Sequence, residues 1–241
     1  MNELQQIYEA TDVGLVRKGN EDNLVVLAKP HVYAVADGMG GEAAGEVASQ
    51  MLVDTVRESL SNCELVREED LRQAISKANC AIRNYVVEHP GCEGMGTTAT
   101  VLHIDEPSAC GSWAHVGDSR LYVLRRDSQV LEQITQDHSY VEDLVREGTI
   151  TPEEAKSHPQ RNMLTRAVGA MENLVVDSGQ TAANAGDIFL LATDGLMKHV
   201  SDEEIVHILR TGQENPAKAL LNAALSAGGT DNVTAVVVSL S

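Results

Sequence analysis

The stretch VYAVADGMGG, residues 32–41, carries the first structural information in this sequence. Its five apolar residues read as a buried strand. The run then ends in an acid, Asp37, followed by Gly38, Gly40 and Gly41, a backbone nearly bare of side chains. The same pattern recurs further along. Asp194 follows FLLAT and precedes Gly195, and Asp118 follows WAHVG and precedes Ser119. Asp231, within GGTDN, stands just before the strand-like run VTAVVVS. In an antiparallel sheet the C-terminal end of one strand lies beside the N-terminal end of its neighbour, so these four acids can share one rim. Carboxylates gathered there would raise one another's pKa values, and a divalent cation would reverse that effect. Hard cations such as Mg²⁺ or Mn²⁺ take carboxylate, carbonyl and water oxygens, and a glycine after the acid lets an ion or a phosphate approach the backbone. Taken singly, each Asp-Gly is also an ordinary turn.

The totals narrow the function classes. At 241 residues, with 43% hydrophobic and 22% charged residues, the chain has ordinary globular composition and an ample core. With no repeat and no linker-like tract it reads as one domain. The formal charge of −18, from 36 acids against 18 bases, argues against nucleic-acid or anionic-membrane partners, which need a basic footprint. Such a surplus serves solubility, or marks acids gathered around a cation. No apolar run is long enough to span a bilayer, and MNELQQIYEATD has neither part of a secretory signal. The cytoplasm is the expected compartment. Cys63, Cys80, Cys92 and Cys110 lack C-x-x-C spacing and are expected to be reduced and mostly buried.

Helical periodicity marks residues 42–60 and 68–88, and strand-like runs fill 98–134 as TATVLHI, SWAHVG, RLYVLRR and VLEQIT. Residues 137–165 are polar and carry histidines, with a capping box around Thr151-Pro152-Glu153-Glu154, and read as a mobile excursion from the core. Strands are expected again at LVVDSG, DIFLLATDG and NVTAVVVSL, with helices starting at Ser201 and at Asn215-Pro216. Helices bracketing two blocks of strands suggest helices packed outside a strand-rich interior. In RKGNEDN, Arg17 suits a phosphate clamp and Glu21 and Asp22 add further acids, although a charged turn would look the same. GMGGEA fits a dinucleotide-binding fingerprint, but an acid directly before its first glycine would repel a pyrophosphate.

Six segments in order, R-x-x-N-E-D (Arg17 to Asp22), A-D-G-M-G-G (Ala36 to Gly41), G-T-T (Gly96 to Thr98), V-G-D-S-R (Val116 to Arg120), T-D-G (Thr193 to Gly195) and G-T-D-N (Gly229 to Asn232), resemble the metal-dependent Ser/Thr protein phosphatases of the type 2C, or PPM, family. The segment at 137–165 resembles the flap of bacterial members. The resemblance runs from about residue 6 to residue 239. It implies an α+β fold: a four-layer α-β-β-α sandwich of two antiparallel sheets flanked by helices, with two Mn²⁺ or Mg²⁺ ions at one edge. Asp37 would bridge the two ions. Asp194 and Asp231 would complete the first site, and the Gly38 carbonyl would join the second. Glu21 and Asp22 would lie in or just outside its ligand shell. Asp118, with Asp194, would hold a third ion, and Arg17 would bind the substrate phosphate. Two such ions lower the pKa of a bridging water, which attacks phosphorus in line with no phospho-enzyme.

Many eukaryotic relatives carry a histidine, proposed as the general acid, where this chain has Met39. His138 and His158 are then candidates for that role. The implied partners are phosphorylated proteins, among them a bacterial Ser/Thr kinase. Two rival readings remain: a catalytically silent relative serving as a binding module, and a two-metal nuclease, which the acidic surface disfavours.

Overall fold

The computed structural model describes residues 5–40 and 44–241. Gly41, and the first two residues of the helix expected from 42, lie outside them. Two antiparallel sheets stack face to face. The first has strand order β1 (Gln5–Asp12), β11 (Val233–Leu240), β10 (Ile188–Ala192), β7 (Arg120–Leu124) and β8 (Leu131–Gln133). The second runs β2 (Asp22–Leu27), β3 (Val32–Met39), β5 (Ala99–Asp105), β6 (Cys110–Val116) and β9 (Asp177–Ala182), with the short β4 (Gly96–Thr97) pairing to the end of β3.

Between the sheets Tyr33, Val35, Leu102, Leu121, Phe189 and Val236 form a central core. The opposite faces of the same strands are also covered. Val32, Ala34 and Ala36 of β3 pack under α1 (Ala44–Leu60) and α2 (Glu68–Glu88). Leu190 and Ala192 of β10 and Ala235 and Val237 of β11 pack under α5 (Asp194–Met197), α6 (Asp202–Arg210) and α7 (Pro216–Ser226). This double covering explains why VYAVA and VTAVVVSL are apolar without alternation: both faces of these strands are buried. The order of layers is therefore helix, sheet, sheet, helix.

The helix signals were local, and they map well. α2 spans 68–88, Ser201 caps α6 by accepting from the Glu204 amide, and Asn215 caps α7 by accepting from the Lys218 amide. Two of the longer strands differ from the sequence reading. β1 was not anticipated, because its half-polar sequence QQIYEATD carries little strand signal; it is held by pairing along all of β11. The expected strand LVVDSG begins only at Asp177 and runs on as DSGQTA. Leu174 and Val176 instead pack against the α1–α2 core, and Val175 is exposed. β9 is an edge strand paired only to β6, so a polar sequence suffices.

Residues 137–165 leave the first sheet after β8 as α3 (Tyr140–Arg146) and α4 (Pro152–Ser157). The Thr151–Glu154 capping box forms as expected. The base of this excursion is fastened: the His138 amide donates to the Gly117 carbonyl at 2.7 Å, and Thr165 N donates to the His138 carbonyl at 2.8 Å. All four cysteines are unpaired, and none is fully buried, contrary to expectation: Cys80 is exposed on α2 and the others are half-buried. No helix among the described residues is long and apolar enough to cross a membrane.

Candidate metal centre

β2 and β3 pair so that Asp22 and Asp37 lie directly opposite each other at the sheet edge. The first sheet meets them there. The Asp22 Oδ2 accepts hydrogen bonds from Thr193, just before α5, at 2.8 Å and from Thr234 of β11 at 2.7 Å. Asp22 thus joins the two sheets beneath the rim. Asp37 is set by its backbone, whose amide donates to Thr98 Oγ1 at 2.8 Å, while Thr98 also bonds Ser119 beside Asp118 at 2.7 Å. Asp194 is the first residue of α5 rather than the end of the strand before it. It is held close to Asp231 because Gly195 lies against the Asn232 carbonyl; a Cβ at 195 would sit 1.9 Å from that oxygen.

The Asn232 side chain fastens the N-terminal acids to the same rim. It donates to the carbonyls of Val13 and Gly19 and accepts from the Glu21 amide at 2.9 Å. The Glu21 carbonyl in turn accepts from Gly38 N at 3.1 Å and from Ser49 of α1 at 2.6 Å. Gly38 is there because the chains touch: a Cβ would meet the Gly45 carbonyl oxygen at 2.0 Å. Arg17 stands at the edge with its Nε 2.8 Å from Asp231 Oδ1 and half of its side chain open to solvent.

The electrostatics report crowded acids. Burial, then the charges of Asp22, Asp194 and Asp118, hold the Asp37 carboxyl well above its ordinary range. Asp22 rises to about 7, driven by burial against its two hydroxyl partners, and Asp118 rises to about 7 through burial and Asp194. Glu21 is raised chiefly by burial. Asp231 goes the other way: burial would raise it, but Lys198 and Arg17 together bring it below the ordinary value. Lys198 is a participant that the sequence reading missed. Its Nζ lies 2.6 Å from Asp194 Oδ2 and 2.7 Å from Asp231 Oδ2. The i,i+4 spacing of Asp194 and Lys198 on a helix was the available signal.

The donor set fits a hard divalent cation. Asp22 Oδ1 and Asp194 Oδ1 are buried with no hydrogen-bond partner among the described residues. Buried carboxylate oxygens left this way are costly unless a cation meets them. As the side chains stand, no three His, Cys, Asp or Glu residues among those described are disposed to hold one ion. Lys198 lies between two of the acids.

The two flap histidines are not brought into the cluster. His138 is buried, accepts from the Gly117 amide at Nδ1 and faces Asp177 Oδ2 from Nε2 at 3.0 Å. The Gly117 bond assigns the proton to Nε2, so both ring nitrogens are engaged in holding the chain before Asp118 to β9. His158 ends α4, where its Nδ1 accepts from the Gln160 amide. Neither lines the cleft of about 880 Å³ that contains Asp118, Arg120, Asp194 and Lys198 and runs beneath α3 and α4. The expectation that one of them is the general acid is therefore not supported by this geometry.

A family model for protein phosphatase 2C matches residues 18–227. The chain belongs to the protein phosphatase 2C family. It is 44% identical over 236 residues to the serine/threonine protein phosphatase PstP of Mycobacterium tuberculosis, covering 95% of this chain but 44% of that protein. This chain thus spans less than half the length of that relative. It is 35% identical over 244 residues to protein phosphatase PhpP of Streptococcus pneumoniae, covering 98% of this chain and 97% of that one. The crystal structure of the PstP catalytic domain in complex with two manganese ions superposes with a TM-score of 0.88 at 39% identity, covering 98% of both chains. The protein phosphatase 2C fold thus carries the acid cluster at the edge where its two sheets meet.

Proposed function

We propose that this chain is a metal-dependent phosphatase that hydrolyses phosphoserine and phosphothreonine in proteins, reversing a Ser/Thr kinase in the cytoplasm. The whole chain acts as one catalytic unit, with 137–165 as a flap beside the cleft. The observation that carries this reading is the pair of orphaned, buried carboxylate oxygens on Asp22 and Asp194, within a rim that Asp37, Asp118 and Asp231 complete. The manganese-bound PstP structure supports the choice of ion.

Asp37, Asp194 and Asp231 would hold the first ion of a Mn²⁺ or Mg²⁺ pair; Asp37, the Gly38 carbonyl and the acids Glu21 and Asp22 would serve the second, and Asp118 with Asp194 a third. When bound, such a pair supplies Lewis acidity and hydroxide near neutral pH. The residues of this chain do the rest. The Arg17 guanidinium, fixed at Nε by Asp231 and half-open to solvent, binds phosphoryl oxygens and offsets their charge. The Thr98 and Asn232 hydrogen bonds keep the acids in place without reorganisation. The formal charge of −18 disfavours nucleic-acid substrates.

The test is hydrolysis of p-nitrophenyl phosphate and of a phosphothreonine peptide, with Mn²⁺ and with EDTA, by the wild type and Asp37→Asn. Turnover should require the ion, and Asp37→Asn should abolish it together with calorimetric Mn²⁺ binding. Turnover in EDTA, or undiminished Mn²⁺ affinity in Asp37→Asn, would overturn the reading. Cleavage of single-stranded DNA abolished by the same substitution would favour a nuclease instead.

A further inference from the structure

We propose that Lys198 is a tethered cation that competes with the divalent ion for Asp194 and Asp231, so that metal loading is a displacement of its ammonium. The inference rests on the metal-site reading above and adds to it a residue that sets metal affinity.

Three observations converge. Lys198 Nζ contacts one oxygen of each acid, at 2.6 Å and 2.7 Å, and so stands between the two carboxylates assigned to the first ion. The other Asp194 oxygen is buried and unpartnered, so one ammonium does not satisfy the pair. No three acids among the described residues are disposed to hold an ion as the side chains stand. An ammonium is a compact point charge on a flexible stem, well suited to leave when a dication arrives. It holds the acids together in the metal-free protein, where they would otherwise repel, and it weakens the apparent affinity for the ion by having to be displaced. Its residue belongs to the wall of the cleft, so the side chain has space into which to move.

The experiment is calorimetric titration of metal-free wild type, Lys198→Met and Lys198→Arg with Mn²⁺, alongside thermal unfolding in EDTA. Lys198→Met keeps the stem and removes the charge. It should bind the tighter ion about tenfold or more strongly than wild type, because two charge-assisted contacts no longer oppose it. In EDTA it should unfold at lower temperature, because Asp194 and Asp231 lose their counter-ion. Lys198→Arg keeps a cation there and should stay near the wild-type affinity. Mn²⁺ affinity unchanged or weakened in Lys198→Met, with the protein folded by circular dichroism, would overturn the proposal. Failure of the wild type itself to bind Mn²⁺ would instead sink the metal-site reading on which it stands.

Discussion

Raising the pH from 7 to 8.5 should destabilise the metal-free protein and leave the metal-loaded protein nearly unaffected. Asp22 has an ordinary pKa of 3.8 and is raised to about 7 in the fold. Across this window the unfolded chain carries it ionised throughout, whereas the folded chain holds it about half protonated at pH 7 and must release that fraction. The folded state binds more protons, so stability falls as pH rises, by about 0.4 kcal/mol for a group with this pKa. Asp118, also raised to about 7, contributes a loss of about the same size. Asp37, held well above its ordinary range by burial and by Asp22, deepens the fall. Three histidines oppose it. His115 is lowered to about 3 chiefly by burial, and burial also lowers His103 and His138, so these groups favour the fold as the unfolded histidines lose their protons. Most of that gain is complete by pH 7, and about 0.5 kcal/mol of it remains above. Asp22 and Asp118 together outweigh that gain by about 0.3 kcal/mol, a drop in Tm of about 1 °C for a chain of this size, and Asp37 enlarges it. The assay is thermal unfolding by circular dichroism in EDTA and in saturating Mg²⁺. Bound cations hold the acids ionised, so the pH slope should largely vanish with Mg²⁺. A Tm in EDTA that stays level or rises between pH 7 and 8.5 would refute the reasoning, as would an equal fall in both conditions.

Two further substitutions probe the rim. Arg17→Ala should raise the KM for phosphopeptide and weaken inhibition by inorganic phosphate about 10–100-fold, as expected for loss of charge-assisted bonds, with a smaller change in Mn²⁺ affinity; equal losses in both would mean that Arg17 mainly supports Asp231. Gly195→Ala places a Cβ 1.9 Å from the Asn232 carbonyl oxygen and must push α5 away from Asp231. Urea unfolding should show a loss of about 2–4 kcal/mol and calorimetry a weaker Mn²⁺ affinity, whereas an unchanged midpoint would show that the contact relaxes without cost.

The sequence by itself determined the elements whose signals are local. Periodicity and capping residues marked α2, α6 and α7, and the unbroken apolar runs of β3, β10 and β11 marked the strands buried on both faces. It also displayed the acids, each at an element end, and their order along the chain carried the family resemblance. Tertiary structure alone decided which groups meet. β1 exists because β11 offers its edge, and β9 takes a polar sequence because only β6 pairs with it. Asp22 reaches Thr193 and Thr234 across 171 and 212 residues of chain, a contact that no window of sequence contains. His138, polar and placed in a flap, reads as accessible; burial against Gly117 and Asp177 makes it a fastening instead. Lys198, unremarkable in DGLMKHV, becomes the counter-ion of two acids once α5 is set against the Asp231 loop. Propensity and capping act within a few residues, whereas charge and burial act through space, so the chemistry of the rim became visible only when the two sheets were brought together.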